Sequence, residues 1–494
     1  MGIDEIIKYE QEIDLDVPVA ELDEKQIKKQ KNKNVVYVSQ LNTTGFILEE
    51  IIEQKNADYA DYAVAPETAK EKFLKLDKET GEVEIIDEIE IGGIYYRPLN
   101  SKLVESQTIY LPSGVEEYGS TSKLISEISD YLNFYFDVDD TMKKILPTYV
   151  LFTWVFDKFP FVPYLHFVGR TATGKTTAGE TLVSICYKGI DATGATSQAA
   201  IFRVADEWGG TIFLDEFNAD AKDQEMIAFL KSGVSDRAVL RVEAEGKNFK
   251  VVPYKVKSPK IFTSENVITD AGLQSRTLTI KMEASKRLLP LFKLSDYYTK
   301  GQVLRNKLLK WRLDNIYNNN IKLKDIEYGF KEFIHLDRRV QQIITPIYYL
   351  SDEEGKIRIQ EFAKEQEIKT KEERLSSEEG SVFKLIYDYY IANGENPTLK
   401  SITESLNAQR EELGYKTKRS EKSIASIVRT VLGLPIVMVG HDKTRTIIVD
   451  DNREKVEELV NYYGLDNSLL AVFSATAQSA TTATLEDVKE IFSD

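Results

Sequence analysis

The sequence is short of several things, and each shortage excludes a class of protein. One cysteine among 494 residues, Cys186, rules out an intramolecular disulfide and a cysteine-based metal centre. The three histidines, His166, His335 and His441, are too scattered to form a metal cluster with it. A reducing, cytoplasmic setting is the expectation, in a prokaryotic cell or a virus or plasmid within one. Long hydrophobic runs are missing too. The longest, Ile145 to Phe156, contains Pro147 and stops at Asp157-Lys158, well below the ~20 residues that span a bilayer. The opening MGIDEIIKYEQEIDLD lacks the basic and apolar blocks of a secretory leader. No membrane role is expected. Hydrophobic residues make up 42% of the chain, enough for packed cores, and the length suggests about three domains.

Positive charge is in deficit: 64 Lys and Arg face 80 Asp and Glu, a formal charge of −16. In bulk this argues against a nucleic-acid partner, because phosphate repels an acidic surface. Its location changes the inference. Residues 1–130 hold 28 acids and 14 bases, so the other 364 residues carry a net charge of only −2.

The pattern predicts an acidic α+β domain of small strands over 1–115, with runs at Asn34–Ser39, Glu82–Glu90 and Ile94–Arg97. A helical connector follows over 116–160. Strand, glycine loop, helix and strand then alternate over 161–285, the pattern of an α/β fold with helices on both faces of a parallel sheet. Residues 286–370 read as a helical lid, with Lys364–Gly380 as a linker or solvated helix end. Three helices and a hairpin over 380–465 outline a winged helix-turn-helix, and 466–494 reads as a flexible Ser/Thr/Ala-rich tail.

The chemistry starts at Gly169-Arg170-Thr171-Ala172-Thr173-Gly174-Lys175-Thr176, which satisfies G-x-x-x-x-G-K-[ST] at every position. The glycines let backbone N–H groups converge on a β-phosphate, and the helix opening at Thr177 adds its positive end. Lys175 is placed to reach the β- and γ-phosphates, and the Thr176 hydroxyl to ligate Mg²⁺. Chance yields this pattern about 0.01–0.02 times in a chain of this length. About 40 residues on, Gly209-Gly-Thr-Ile-Phe-Leu-Asp215-Glu216 is an apolar strand ending in two acids. Asp215 is expected to hold Mg²⁺ through water, and Glu216 to orient and deprotonate the attacking water. ATP and Mg²⁺ are the expected substrate and cofactor.

Between Gly169 and Arg276 the chain resembles the AAA+ ATPases, and more closely the branch holding MCM proteins, superfamily 3 helicases and MCM-like helicases of mobile genetic elements. Ile261-Phe-Thr-Ser-Glu-Asn266 looks like the sensor-1 strand, which implies that Asn266 positions the attacking water. Leu273-Gln-Ser275-Arg276 resembles the element supplying an arginine finger to the next subunit. A guanidinium fork there neutralises charge on the transferred phosphoryl group. The resemblance implies head-to-tail contacts closing into a ring, as a hexamer. Leu336-Asp-Arg338-Arg339 offers Arg339 as a sensor-2 arginine, with an ordinary ion pair as the equal alternative.

Two segments are locally basic. Val239 to Val252 alternates around Gly246-Lys247-Asn248, a hairpin by turn chemistry. It is similar in position to the pre-sensor-1 hairpin, which implies that Lys247, at its tip, and Lys250 grip single-stranded DNA. A solvated hairpin with edge lysines is the competing reading. Residues 416–445 carry seven bases, Lys416, Lys418, Arg419, Lys422, Arg429, Lys443 and Arg445, against two acids. They fall where a winged helix meets DNA, although many such domains bind protein instead. The expectation is an ATP-dependent DNA helicase or translocase of replication-initiator type. The alternative is a nucleotide-switched DNA-binding initiator or regulator without strand separation.

Overall fold

The computed structural model describes residues 34–53, 70–99, 101–192, 196–217, 224–245, 248–268, 270–293 and 296–466. The chain divides into two compact units, 1–328 with 345–355, and 329–344 with 356–494.

The first unit is built on a six-stranded sheet ordered Thr277–Lys281, Tyr164–Val168, Lys260–Ser264, Ile212–Leu214, Gly189–Ala192, Ile109–Tyr110. The first five strands are parallel and the Ile109–Tyr110 edge is antiparallel. Tyr164–Val168 and Lys260–Ser264 are buried at every position, as strands covered on both faces must be. After the Ile109–Tyr110 edge the chain crosses to the second strand, jumps to the fifth, steps back to the fourth and third, and passes over the second to end at the first. Right-handed crossovers therefore put the helix Lys175–Val183 on one face and the later helices on the other.

Lys175–Val183 shares its face with Thr121–Tyr135, Asp140–Thr153 and Tyr297–Tyr317. Tyr131 Oη lies 3.3 Å from Ser184 Oγ, Trp154 Nε1 donates to the Ile185 carbonyl at 3.0 Å, and Arg305 donates to the Ser184 carbonyl at 2.6 Å. The helix Tyr297–Tyr317, from the segment expected as a lid, packs on this helical layer, with Arg305 also over the Tyr110 ring. The opposite face carries Gln198–Trp208, Gln224–Ser232 and Ala271–Gln274. Phe202 and Phe229 meet there at 4.4 Å between ring centroids, and Lys231 bonds Asp270 at 2.7 Å.

Residues 34–53 and 70–99 form a small β layer. A four-stranded antiparallel sheet runs Gln40–Asn42, Phe46–Glu53, Lys70–Asp77, Val83–Ile86, beside a three-stranded one of Asn34–Tyr37, Ile94–Arg97 and Ile89–Ile91. The run expected over Glu82–Glu90 breaks at Asp87, which turns aside to bond Lys70 at 2.6 Å, and its halves join different sheets. The layer is pinned to the core by buried charge. Arg312 bonds Glu49 and Asp157, both at 2.8 Å, Tyr187 donates to Glu49 at 2.6 Å, and Lys188 Nζ donates to the Ser39 carbonyl at 2.9 Å.

In the second unit the polar stretch expected as a linker or solvated helix end is largely the second half of a 23-residue helix, Glu353–Leu375. Helices Glu378–Asn393, Leu399–Glu412 and Glu421–Ser426 follow, the last continued by a π turn, Ile427–Val431. Ser377, Thr398 and Ser420 cap the three starts, as short hydroxyl side chains do. An antiparallel hairpin, Ile436–Val439 with Thr444–Ile447, and the helix Arg453–Tyr463 complete a core around Phe383, Ile402, Val428 and Val460.

Candidate active site

The loop 169–174 leaves the C-terminal end of Tyr164–Val168 and turns straight into Lys175–Val183. Two residues make that turn possible. Gly174 sits at φ 85°, and Gly169 has no room for a side chain, since a Cβ there would lie 2.4 Å from the Met282 carbonyl. Ala172 adopts φ 63° between them. Gly174 caps the helix without a side-chain hydrogen bond. The N–H groups of the first helical turn, which have no intrahelical acceptor, therefore face the loop. Lys175 curls back over this cradle, its Nζ donating to the Gly169 and Arg170 carbonyls, both at 2.8 Å. Thr173 donates to the Arg170 carbonyl at 2.9 Å, and Thr171 to Glu265. Arg170 and Thr177 are exposed at the rim.

The acid strand Ile212–Leu214 ends at the same edge, and Asp215 reaches the loop helix: Thr176 Oγ1 donates to Asp215 Oδ1 at 3.1 Å. The hydroxyl and carboxylate expected to share a cation are thus adjacent. Thr263, to which no sequence motif assigns a role, organises both acids. Its hydroxyl donates to Asp215 Oδ1 at 2.6 Å and accepts from the Glu216 N–H at 2.9 Å. Thr263 stands beside Asp215 because Leu214 aligns with Phe262 in the neighbouring parallel strand. No local pattern could flag it, since the signal is the strand order. Glu216 is exposed and held at φ 54°, a left-handed conformation costly for a side-chain-bearing residue. Asp191, next in the sheet and half-buried, is pushed up to about 6 by desolvation, with Glu180 and Asp215 adding repulsion.

Asn266 is exposed just beyond the central strand, and its carbonyl accepts from Ser264 Oγ at 2.5 Å. Ser264 in turn lies 2.6 Å from Nε2 of the buried His166, which fixes the turn. Arg276 is placed differently. It precedes Thr277, which aligns with Tyr164 at the start of the strands, and its carbonyl accepts from the Tyr164 N–H at 3.0 Å. The loop at Gly169 leaves the other end. At about 3.3 Å per residue, Arg276 lies about a strand length, ~15 Å, from its own loop. Its guanidinium folds onto the Gly272 carbonyl.

The hairpin Val239–Glu245 with Asn248–Tyr254 forms as expected. Lys247 lies outside the described residues, and Lys250 is exposed. Arg241 lies 3.8 Å over the Phe202 ring and pairs with Glu225, holding the hairpin to the helices beneath.

In the second unit Arg339 is exposed and bonds Gln342 at 3.1 Å, one turn along its own helix. Lys416 and Lys418 are exposed before the helix Glu421–Ser426, Lys422 on it, Arg429 on the π turn, Lys443 in the hairpin turn and Arg445 on the second hairpin strand. Arg419 is engaged internally. Its guanidinium forks onto Glu378, and its backbone is bracketed by the Asn407 amide at 2.7 and 2.9 Å.

No family model and no curated protein matches the chain. Its neighbours among solved structures include an active helicase. That structure, "SCCmec type IV Cch - active helicase", is 14% identical over 89% of this chain and 83% of that one, with a TM-score of 0.44. The NrS-1 C-terminal region is similar at 17% identity over 73% of this chain and 82% of that one, with a TM-score of 0.31. Among the described residues no helix is long and apolar enough to cross a membrane, and no group of three or more His, Cys, Asp or Glu residues could hold a metal.

Proposed function

We propose that the chain is an ATP-dependent DNA helicase or translocase of replication-initiator type, working as a head-to-tail ring, with hexamer the expected count. The observation that carries the reading is the Thr176–Asp215 contact, which joins a phosphate-binding loop to an acid strand at one sheet edge. In this reading the loop N–H groups and Lys175 hold the β- and γ-phosphates of ATP. Glu216, exposed beside them, takes the proton of the attacking water, and Asn266 orients that water. Thr263 positions both acids. A hydroxyl beside a carboxylate is an oxygen donor set suited to Mg²⁺, so Thr176 and Asp215 would hold the ion, and it would supply charge neutralisation on the phosphates.

Arg276 supports the oligomeric part. Standing at the far end of the strands from its own loop, it serves the reaction only by completing a neighbour's site. The Lys247 and Lys250 hairpin is assigned to single-stranded DNA. Lys416, Lys418, Lys422, Arg429, Lys443 and Arg445 are assigned to a DNA backbone at a winged helix, and Arg419 to bracing that domain. Arg339 remains a proposal for the lid.

ATP-dependent unwinding of forked DNA, compared with single-stranded and duplex controls across a salt titration, tests the reading. Strand separation by the native chain and its loss in Lys175→Ala are expected. A native chain that neither turns over ATP nor separates strands on any substrate removes it.

A further inference from the structure

Two apolar surfaces of the first unit have no partner among the described residues, one on each side of the sheet. The hairpin's pairing puts Leu240, Val242 and Ala244 opposite Pro253, Val251 and Phe249, all on one face. The other face, with Arg241 and Tyr254, packs on Phe202. The apolar face looks outward, and Leu240, Val242, Phe249 and Val251 are each more than three-fifths exposed. A charged or Thr-rich outer face is the usual way to keep such a ribbon from sticking.

The second surface is the stretch between Met282 and the helix Tyr297–Tyr317. Arg287 pins its start through Asp137 at 3.2 Å and the Phe136 carbonyl at 2.6 Å, and Lys293 pins Glu180 of the loop helix at 3.1 Å. Between these anchors Leu288, Leu291 and Phe292 are 101%, 90% and 79% exposed. Three large apolar side chains held out on a tethered strap are costly in water and mark a contact surface.

Their placement selects the occupant. The hairpin lies on the sheet face that carries Ala271–Gln274 and Arg276; the strap lies on the face of the loop helix. A heterologous contact needs two different patches on one chain. A contact delivering Arg276 to a neighbour's Lys175 turns the hairpin face of one copy toward the strap face of the next. We infer that Leu288, Leu291 and Phe292 of one copy pack on Val242, Phe249 and Val251 of the adjacent copy, forming the apolar part of the subunit interface. The inference rests on the trans role of Arg276 proposed above.

Cysteine pairing tests it directly, because the native Cys186 is buried. Leu291→Cys chains mixed with Val242→Cys chains under mild oxidation are expected to give covalent dimers that neither variant gives alone. In parallel, Phe292→Ser and Phe249→Ser should each weaken assembly at least tenfold by sedimentation, with unchanged circular dichroism. The inference falls if the mixture cross-links no more than a Tyr328→Cys control with Val242→Cys, or if both serine variants assemble like the native chain. It also falls if Phe249→Ser assembles normally but loses single-stranded DNA binding, which would assign the face to nucleic acid. ATP turnover is read on the same samples. Turnover kept with no cross-link overturns this interface alone, whereas a native chain without turnover overturns the reading beneath it.

Discussion

At the scale of single residues the site depends on short polar contacts whose partners come from different strands. Lys175 lies over the carbonyls of its own loop, so an arriving phosphate displaces those bonds instead of capturing a free lysine. Lys175→Ala is expected to lower ATP affinity and abolish turnover, and Glu216→Gln to abolish turnover while keeping affinity. Single-turnover hydrolysis and nucleotide titration read the two. Thr263 is a positioning residue. In Thr263→Val, Asp215 loses its 2.6 Å donor and the Glu216 N–H its acceptor. A drop in turnover of about tenfold, at little changed nucleotide affinity, is the expected outcome for losing contacts worth roughly 1–2 kcal/mol. Rescue by Thr263→Ser, which restores the hydroxyl, separates that role from a packing defect.

At the scale of elements, the β layer is fastened to the core by ionisable groups withdrawn from water. Glu50 is buried. One of its oxygens accepts from the Leu99 N–H at 3.2 Å, and the other has no hydrogen-bond partner among the described residues. Desolvation pushes its carboxyl up to about 8, against the pull of Lys188. Lys188, fully enclosed, is pushed down to about 8 by the same cause. For Glu50 the folded chain holds a proton that the unfolded chain gives up near pH 4.5. Its contribution is therefore present below that value and lost as pH rises toward 8. Thermal midpoints between pH 5 and 8 should fall with pH in the native chain and much less in Glu50→Gln, which keeps the uncharged shape. Lys188 keeps its charge below about 8 and so adds no slope in that window.

At the scale of the whole molecule, the decisive feature is that the loop and Arg276 occupy opposite ends of the same pair of parallel strands. On the proposed reading of Arg276, one chain then leaves its own site to be completed by a neighbour. Arg276→Ala and Lys175→Ala should each be inactive alone. Mixed, they should regain part of the ATPase through interfaces pairing an intact loop with an intact arginine. Steady-state turnover over a series of mixing ratios reads this, and no recovery at any ratio counts against a trans arginine. The acidity of the chain also belongs to this scale. It is concentrated in residues 1–130, whereas 416–445 carry seven bases against two acids, so the bulk charge does not describe the segment assigned to DNA.

The sequence by itself determined the local chemistry. A glycine loop needs its glycines where φ turns positive or a carbonyl crowds Cα, and an apolar strand ending in Asp-Glu must release those acids at a sheet edge. The hairpin was legible for the same reason: turn residues and alternation are properties of neighbours along the chain. Only the tertiary structure decided that Thr263 stands between the acids, that Arg419 pairs with Glu378, and that Arg276 lies at the opposite end of the strands from the loop at Gly169. It also decided that the helix Tyr297–Tyr317 packs beside Thr121–Tyr135 and the end of the loop helix. Each of these depends on strand order or on which side chain finds a partner far along the chain, and neither is encoded in the spacing of residues that are neighbours in sequence.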